Sequence, residues 1–460
     1  MFEGIGASYP AEFFYNISKL NGSMSKQLVK VSADRPDKIA PSQIVNFRLP
    51  IGALLNLESL NIWFQVSLAG EKTLPARYAS SFIKRMSIQI NNVSAQILNE
   101  YAFTYNFYAD HNNKSLTKTI AGDWNDNSIL WTHTAPASAT ESSIDGANAF
   151  LSANGAMTKE QFCINNFIGL LGSASTKIWS TDRTGEIVIS LEMASASDVL
   201  GGVEGITPTA SATYEINSLY LTCEALSFSD DTYYSSIGDK DLRIAFNDYV
   251  YTSFAETTKK TGINCTTYIS AGSIAHLVGT CRLPPEGIPK KMVAVNMSGA
   301  GTTAINRAKY LSDPVANEGE GDAFFSTVNL QRNMAHLESS QFSINNKQLN
   351  YGSFNKYEVF QNNLLALGYE NVDISANGLN ETIVSIFHYY KYFGGHIQSL
   401  ELIDKNNFFI SGLSSSGSSC SINWVCKFEG ASNTVKIIPV IIAKLHRVLN
   451  IRSGRQISIE

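Results

Sequence analysis

A short phrase is written twice in this chain, and it constrains the fold more than any other feature. The first copy is Met86-Ser87-Ile88-Gln89-Ile90-Asn91-Asn92, followed by the aromatic run Tyr101-Ala102-Phe103-Thr104-Tyr105-Asn106-Phe107-Tyr108. The second is Gln341-Phe342-Ser343-Ile344-Asn345-Asn346, followed by Tyr357-Glu358-Val359-Phe360-Gln361-Asn362-Asn363-Leu364-Leu365. Apolar residues alternate with polar ones up to each Asn-Asn pair, the period of a strand with one buried face. Asparagine tolerates a left-handed backbone, so each pair suits a tight hairpin turn. Beyond each turn the spacing changes to that of an amphipathic helix. The two Ile-Asn-Asn triplets, starting at Ile90 and Ile344, lie more than half of the 460-residue chain apart. Tandem duplication of one β-rich domain is the expectation.

The rest of the chain agrees with a duplication. Residues 60–68 alternate with the even positions apolar, and residues 187–193 with the odd positions apolar. Alternation resumes near Tyr214 and runs through Leu219, Leu221, Cys223 and Ala225. Residues 229–239 break the pattern, which places a boundary there: a first domain over 41–235 and a second over 236–460. Before them, residues 1–40 are expected to form an N-terminal arm. Within it Phe13, Ile17 and Leu20 mark a short amphipathic helix over 10–20 that begins at Pro10.

In the second half, strands are expected at 242–254, 274–283, 291–298, 324–330, 396–403, 408–413, 420–428 and 435–445, with a helix-like run at 383–390. Pro439 inside the last strand requires an edge or a bulge. Residues 111–180 are expected to be long loops. Many short strands with irregular connections give an all-β class, a sandwich or jelly roll rather than a parallel α/β sheet.

Composition narrows the function classes. Only 16% of residues are charged, while 44% are apolar and 11% aromatic. That argues against disorder and fits a chain that buries large surfaces, including against neighbouring subunits. A net charge of −5 excludes a general nucleic-acid binder, and no sequence-specific nucleic-acid partner is expected. The C-terminus is locally basic at Lys444, His446, Arg447, Arg452 and Arg455; a solvated or salt-bridged tail is preferred there to an anionic docking surface.

Six cysteines, Cys163, Cys223, Cys265, Cys281, Cys420 and Cys426, include no CxxC pair, and they read as small buried hydrophobes made under reducing conditions. Met1-Phe2-Glu3-Gly4 lacks the basic and apolar regions of a secretory signal, so none is expected. No stretch reaches the roughly 20 apolar residues that span a bilayer.

Motifs for chemistry fail one by one. Gly299-Ala300-Gly301-Thr302-Thr303-Ala304 has dinucleotide-binding spacing, but its surroundings look antiparallel and a flexible loop is the better reading. The run from Gly412 to Gly417 misses the G-x-S-x-G spacing and reads as a serine-rich turn. His111, His133, His276, His336, His388, His396 and His446 show no paired spacing for a metal, and His388 reads as a packed residue. Glu318, Glu320 and Asp322 lack EF-hand spacing. No catalytic, cofactor-binding or metal-binding residue is assigned, no cofactor is expected, and the chain is read as a non-enzyme.

Four stretches carry a family resemblance. They are Val45-Asn46-Phe47-Arg48-Leu49-Pro50 with residues 60–68; Tyr214-Glu215-Ile216 through Leu226-Ser227-Phe228-Ser229-Asp230; residues 340–349 with the helix behind them; and residues 449–455. Over residues 40–460 the chain resembles the double jelly-roll major capsid proteins of the adenovirus and tailless membrane-containing phage lineage. Residues 111–180 have no counterpart in that pattern.

The resemblance implies two tandem eight-stranded jelly rolls with short helices in the connections. It implies a homotrimer that makes a pseudo-hexameric capsomer and, with neighbouring capsomers, tiles an icosahedral virion shell. Minor capsid and vertex proteins would be further partners. Residues 10–20 would lie on the inner face near an internal viral membrane, and the protein, made in the host cytoplasm, would reside in the virion. The alternative is a carbohydrate-binding or adhesin-like β-sandwich protein with Trp124 and Trp131 as sugar platforms. A glycan-active enzyme comes third, since it needs paired carboxylates.

Overall fold

Both Asn-Asn pairs close two-residue hairpins in the computed structural model, which describes residues 24–69, 73–74, 79–112, 160–199, 201–202, 213–228, 241–259, 262–282, 332–349, 352–367, 390, 394–401, 412–415, 419–429, 436–452 and 455–460. Ile90 pairs with Val93 and Ile344 with Lys347. All four asparagines have positive φ, 47° and 64° in the first turn and 49° and 62° in the second. That is the type I′ geometry, whose twist matches the flanking strands. Asn92→Ala and Asn346→Ala are each expected to cost about 1–2 kcal/mol, and the glycine variants close to nothing. Urea unfolding of the four variants checks this.

The strands of the first half are β1 (Met24–Ser32), β2 (Ile44–Arg48), β3 (Leu54–Ala69), β4 (Thr73–Leu74), β5 (Ile83–Ile90), β6 (Val93–Leu98), β7 (Glu160–Ile164), β8 (Ile178–Ser180), β9 (Ile187–Met193), β10 (Gly201–Gly202) and β11 (Thr213–Phe228). Those of the second half are β12 (Leu242–Ser253), β13 (Thr257–Thr258), β14 (Ile263–Ile269), β15 (Ser273–Arg282), β16 (Leu337–Ile344), β17 (Lys347–Gln348), β18 (Phe354–Asn355), β19 (His396–Ser399), β20 (Cys420–Phe428), β21 (Lys436–Arg452) and β22 (Gln456–Ile459). Helix α1 (Tyr101–Asn112) follows β6, and helix α2 (Lys356–Ala366) follows β18.

Pairing shows the duplication strand for strand. The first half forms two antiparallel sheets in the orders β1-β11-β3-β7 and β2-β9-β5-β6. The second half repeats them as β12-β21-β15-β19 and β14-β20-β16-β17. Counting only these eight strands in each half, both halves read first-eighth-third-sixth and second-seventh-fourth-fifth. Two such sheets face to face make a jelly roll. Each Asn-Asn turn joins the fourth strand to the fifth. Each turn also donates its first backbone N–H to the start of the seventh strand: Asn91 to Glu186 O at 2.7 Å, Asn345 to Ser421 O at 2.8 Å.

Some expectations are corrected. Residues 24–32 belong to the first roll and not to an arm ending at residue 40, because β1 pairs with β11 from Met24↔Phe228 to Ser32↔Tyr220. Residues 160–164 and 178–180, expected as loop, are β7 and β8, both paired with β3. The final strand runs to Arg452 and lies inside its sheet, between β12 and β15. Pro439 sits at the break between β12 and β13 beside it: Ser253 pairs with Val440, but the next ladder begins at Thr257↔Ile437. Phe254 N donates to Pro439 O at 3.0 Å, and proline has no N–H to return. On its other side Pro439 pairs in register with Cys281 of β15, so the interruption there is a gap between the β12 and β13 ladders.

The expected helix at 10–20, the boundary at 235/236 and the strands at 291–298 and 324–330 lie outside the described residues. Outside them too are His133, His388, Trp124, Trp131, Gly299–Ala304, and the acidic group Glu318, Glu320 and Asp322.

Candidate functional site at the joint between the rolls

Among the described residues no group of three or more His, Cys, Asp or Glu is arranged to hold a metal ion. All six cysteines are buried and free. Burial pushes the Cys223 and Cys265 thiols up to about 11, away from the thiolate a nucleophile needs. The serine turn is structural: Ser415 Oγ accepts from Ala271 N at 2.9 Å and lies 3.2 Å from Ile269 O. No helix among the described residues is long and apolar enough to cross a membrane.

What the chain does build with care is the contact between its two rolls. The sequence marked α1 as a one-sided helix, but every residue from Tyr101 to Ala109 is buried. Tyr101, Tyr105 and Ala109 join the core of the first roll. Ala102, Phe103, Phe107 and Tyr108 join a separate cluster with Val278, Ile397, Val440 and Ile442, on the outer face of the second roll's β12-β21-β15-β19 sheet. A helix apolar all round is one enclosed on both sides. Phe103 meets Tyr251 edge-on at 5.7 Å, and Tyr108 meets Tyr249 at 5.2 Å. Such aromatic pairs add about 0.5–1.5 kcal/mol each beyond the area they bury.

Cations of the second roll close over these rings. The Arg282 guanidinium lies 5.6 Å from the Phe103 centroid and that of Arg332 lies 5.2 Å from Phe107, within cation–π range. Arg282 also donates to Glu100 Oε2 at 3.0 Å and stands 3.6 Å from Asp198 Oδ1, both in the first roll. Partly buried and fixed by two carboxylates, it orients one roll on the other.

A second strip of contacts runs along β12. Gln96 is buried; its Nε2 donates to Asn247 O at 3.1 Å and to Asp248 Oδ1 at 2.7 Å, and its Oε1 accepts from Leu170 N at 2.7 Å. Gly169 has φ +78°, and a Cβ there would collide with the Gln96 amide. Burial raises the Asp248 carboxyl, opposed by the Gln96 hydrogen bond and by Arg447, whose Nε lies 3.0 Å away. Ser173 Oγ accepts from Asn247 N at 2.8 Å, and Ser175 exchanges two bonds with Ala245. Beneath this strip Ile244, Phe246, Leu449 and Ile451, from the ends of β12 and β21, enter the first roll's core.

Three of the basic residues near the C-terminus, Lys444, His446 and Arg447, meet carboxylates within the chain. Lys444 and His446 meet Glu401 at 3.3 and 2.6 Å. Burial alone would raise Glu401, but the imidazoles of His276 and His446 and the charge of Lys444 hold it far below the usual carboxylate range. Arg455 donates to Asp182 O at 2.9 Å, and its own carbonyl accepts from Asn91 of the first hairpin turn at 3.2 Å.

Sequence reasoning found the turns and strands of this joint but missed Gln96, Glu100, Asp198, Arg282 and Arg332. One signal was present: α1 carries more apolar residues than a one-sided helix needs.

No family model and no curated protein sequence matches the chain. Solved structures do. PBCV-1 VP54, fitted into a reconstruction of the virophage Sputnik, is 11% identical, with a TM-score of 0.55 over 96% of this chain and 97% of that one. The cryo-EM structure of the Sputnik virophage is 11% identical, with a TM-score of 0.52 over 96% and 89%. The mavirus major capsid protein is 8% identical, with a TM-score of 0.50 over 94% and 90%. By strand order and by this likeness, the chain has the fold of the double jelly-roll major capsid proteins.

Proposed function

We propose that the chain is a structural major capsid protein, not an enzyme, and that it works as a homotrimer. Its first roll would run from Met24 to about residue 235 and its second from there to Glu460. Three chains offer six similar rolls, a pseudo-hexameric capsomer able to tile an icosahedral virion shell with its neighbours. The observation that carries this reading is the strand-for-strand duplication locked into one unit by α1. A binding module needs no such lock between repeats, whereas a building block must hold its two edges at a fixed angle. Minor capsid and vertex proteins are the further partners proposed, with the segment before β1 facing an internal membrane. The protein would be made in the host cytoplasm and carried in the virion.

Electron microscopy of the purified protein tests the reading. Six-lobed particles of three chain masses are expected. Monomers that bind sugars on a glycan array would sink it in favour of a carbohydrate-binding protein.

A further inference from the structure

Lysines are almost never wholly buried unless something inside the fold receives them, and Lys259 is wholly buried. It follows the short ladder of β13, where Thr257 pairs with Ile437 and Thr258 with Lys436. Its Nζ donates to Asn333 Oδ1 at 2.7 Å and to Ala335 O at 3.0 Å, and it lies 5.4 Å from the Phe428 ring centroid. Asn333 is buried as well.

The frame around this pair is fixed by backbone. Asn333 N donates to Cys281 O at 2.9 Å, Met334 N donates to Tyr390 O at 2.7 Å, and Arg332 forms a β-bridge with Arg282. Met334, Ala335 and Cys281 are fully buried. Held from both sides in this way, Asn333 presents its amide to the lysine. Ala335 N donates to the same Oδ1 at 3.1 Å, so that oxygen receives two N–H groups. A carbonyl carbon lies about 1.2 Å from its oxygen, which puts the lysine nitrogen within roughly 4 Å of the amide carbon.

These are the parts that an acyl transfer needs. The attacking form of a lysine is the neutral amine, and a site closed to water is where that form is least disfavoured. Attack on Cγ moves negative charge onto Oδ1, where the Ala335 N–H already points, as in an oxyanion hole. Both reactants belong to one folded chain, so no entropy is lost in bringing them together.

We infer that Lys259 and Asn333 join in an isopeptide bond that forms unaided once the second roll has folded. The Nζ–Cγ bond forms and the Cγ–Nδ2 bond breaks. A proton passes from Nζ to the departing Nδ2, which leaves as ammonia. No oxidant, metal or second molecule is consumed. The product ties the end of β13 to the segment that opens β16, residues 74 apart in sequence. The ladder between β13 and β21 is only two pairs long, and a covalent tie would hold there what so few backbone bonds hold weakly. This inference does not depend on the capsomer reading.

Mass spectrometry of the denatured wild-type chain tests it. The expected intact mass is that of the 50.3 kDa sequence less one ammonia per chain. Trypsin should leave the bond after Lys259 uncut, since an acylated lysine is no longer its substrate. The digest should hold a branched peptide whose fragment spectrum joins Lys259 to Asn333. The full sequence mass, with cleavage after Lys259, overturns the inference; so does an ammonia loss that maps to other residues. Lys259→Arg keeps a charge and donors but offers no amine, and it should restore the full mass while circular dichroism shows the chain folded. A folded Lys259→Arg chain that still lacks the ammonia overturns the inference too. Should that variant misfold, the branched peptide of the wild-type chain, present or absent, decides alone.

Discussion

Phe107→Ala is expected to split the unfolding of the chain into two transitions. The ring is fully buried in the joint, beneath Arg332 and edge-on to Tyr108 at 5.5 Å. The backbone of Gly395 approaches it so closely that a Cβ there would stand 2.7 Å from the ring. Removing such a side chain costs about 3–5 kcal/mol in lost transfer energy and residual cavity. Nearly all of that loss falls on the contact between rolls, since Phe107 belongs to neither roll's own core. Differential scanning calorimetry should show one cooperative transition for the wild-type chain and two for the variant. A single transition at an unchanged midpoint would show that α1 does not couple the rolls.

Acid is expected to loosen the second roll through His396. Its imidazole is fully buried between Phe342 and Phe354, and its Nδ1 lies 2.8 Å from Ser340 Oγ. Trp424 Nε1 donates to that same oxygen at 2.9 Å, which leaves the hydroxyl hydrogen free to point at a neutral imidazole. Burial pushes the imidazole from its ordinary 6.5 down to about 3. Protons therefore bind the unfolded chain more readily than the folded one between these values. Stability is fully present above pH 6.5 and is lost as pH falls toward 3, by about 1.4 kcal/mol per pH unit and on the order of 5 kcal/mol in all. His276, lowered by burial too, adds to the loss with the same sign. In urea unfolding from pH 6 to pH 4, His396→Gln should remove about one proton from the slope. An unchanged slope would show that His396 is not the titrating group.

The hairpin turns were legible because two asparagines at positive φ leave a local signature that needs no partner. The strands with one buried face were legible because alternation is local as well. β1 was not, because it lies at the edge of its sheet. Its run Met24-Ser25-Lys26-Gln27-Leu28-Val29-Lys30-Val31-Ser32 carries two polar residues, Ser25 and Gln27, on the core side and Leu28 toward solvent. Edge strands carry lysines as protection against stray pairing, and this obscures their period. The joint was harder still. Gln96 meets Asp248 and Glu100 meets Arg282 across more than a hundred residues of chain, and no local pattern encodes which polar groups will meet. For α1 the residue types were readable, but the identity of the second surface covering it was a fact of topology.

The length of β21 has a consequence for how the molecule is made. Ile437, Ile441, Ala443 and Leu445 complete the second core, and Leu449 and Ile451 of the same strand complete the first. On a ribosome this strand emerges long after β11, so an N-terminal roll already synthesised still lacks side chains from its own interior. Neither half can finish before the other, and a nascent chain stalled short of Leu449 leaves the first roll's core incomplete. β21 thus acts as a timing device: neither roll's core is complete until that one strand has been made.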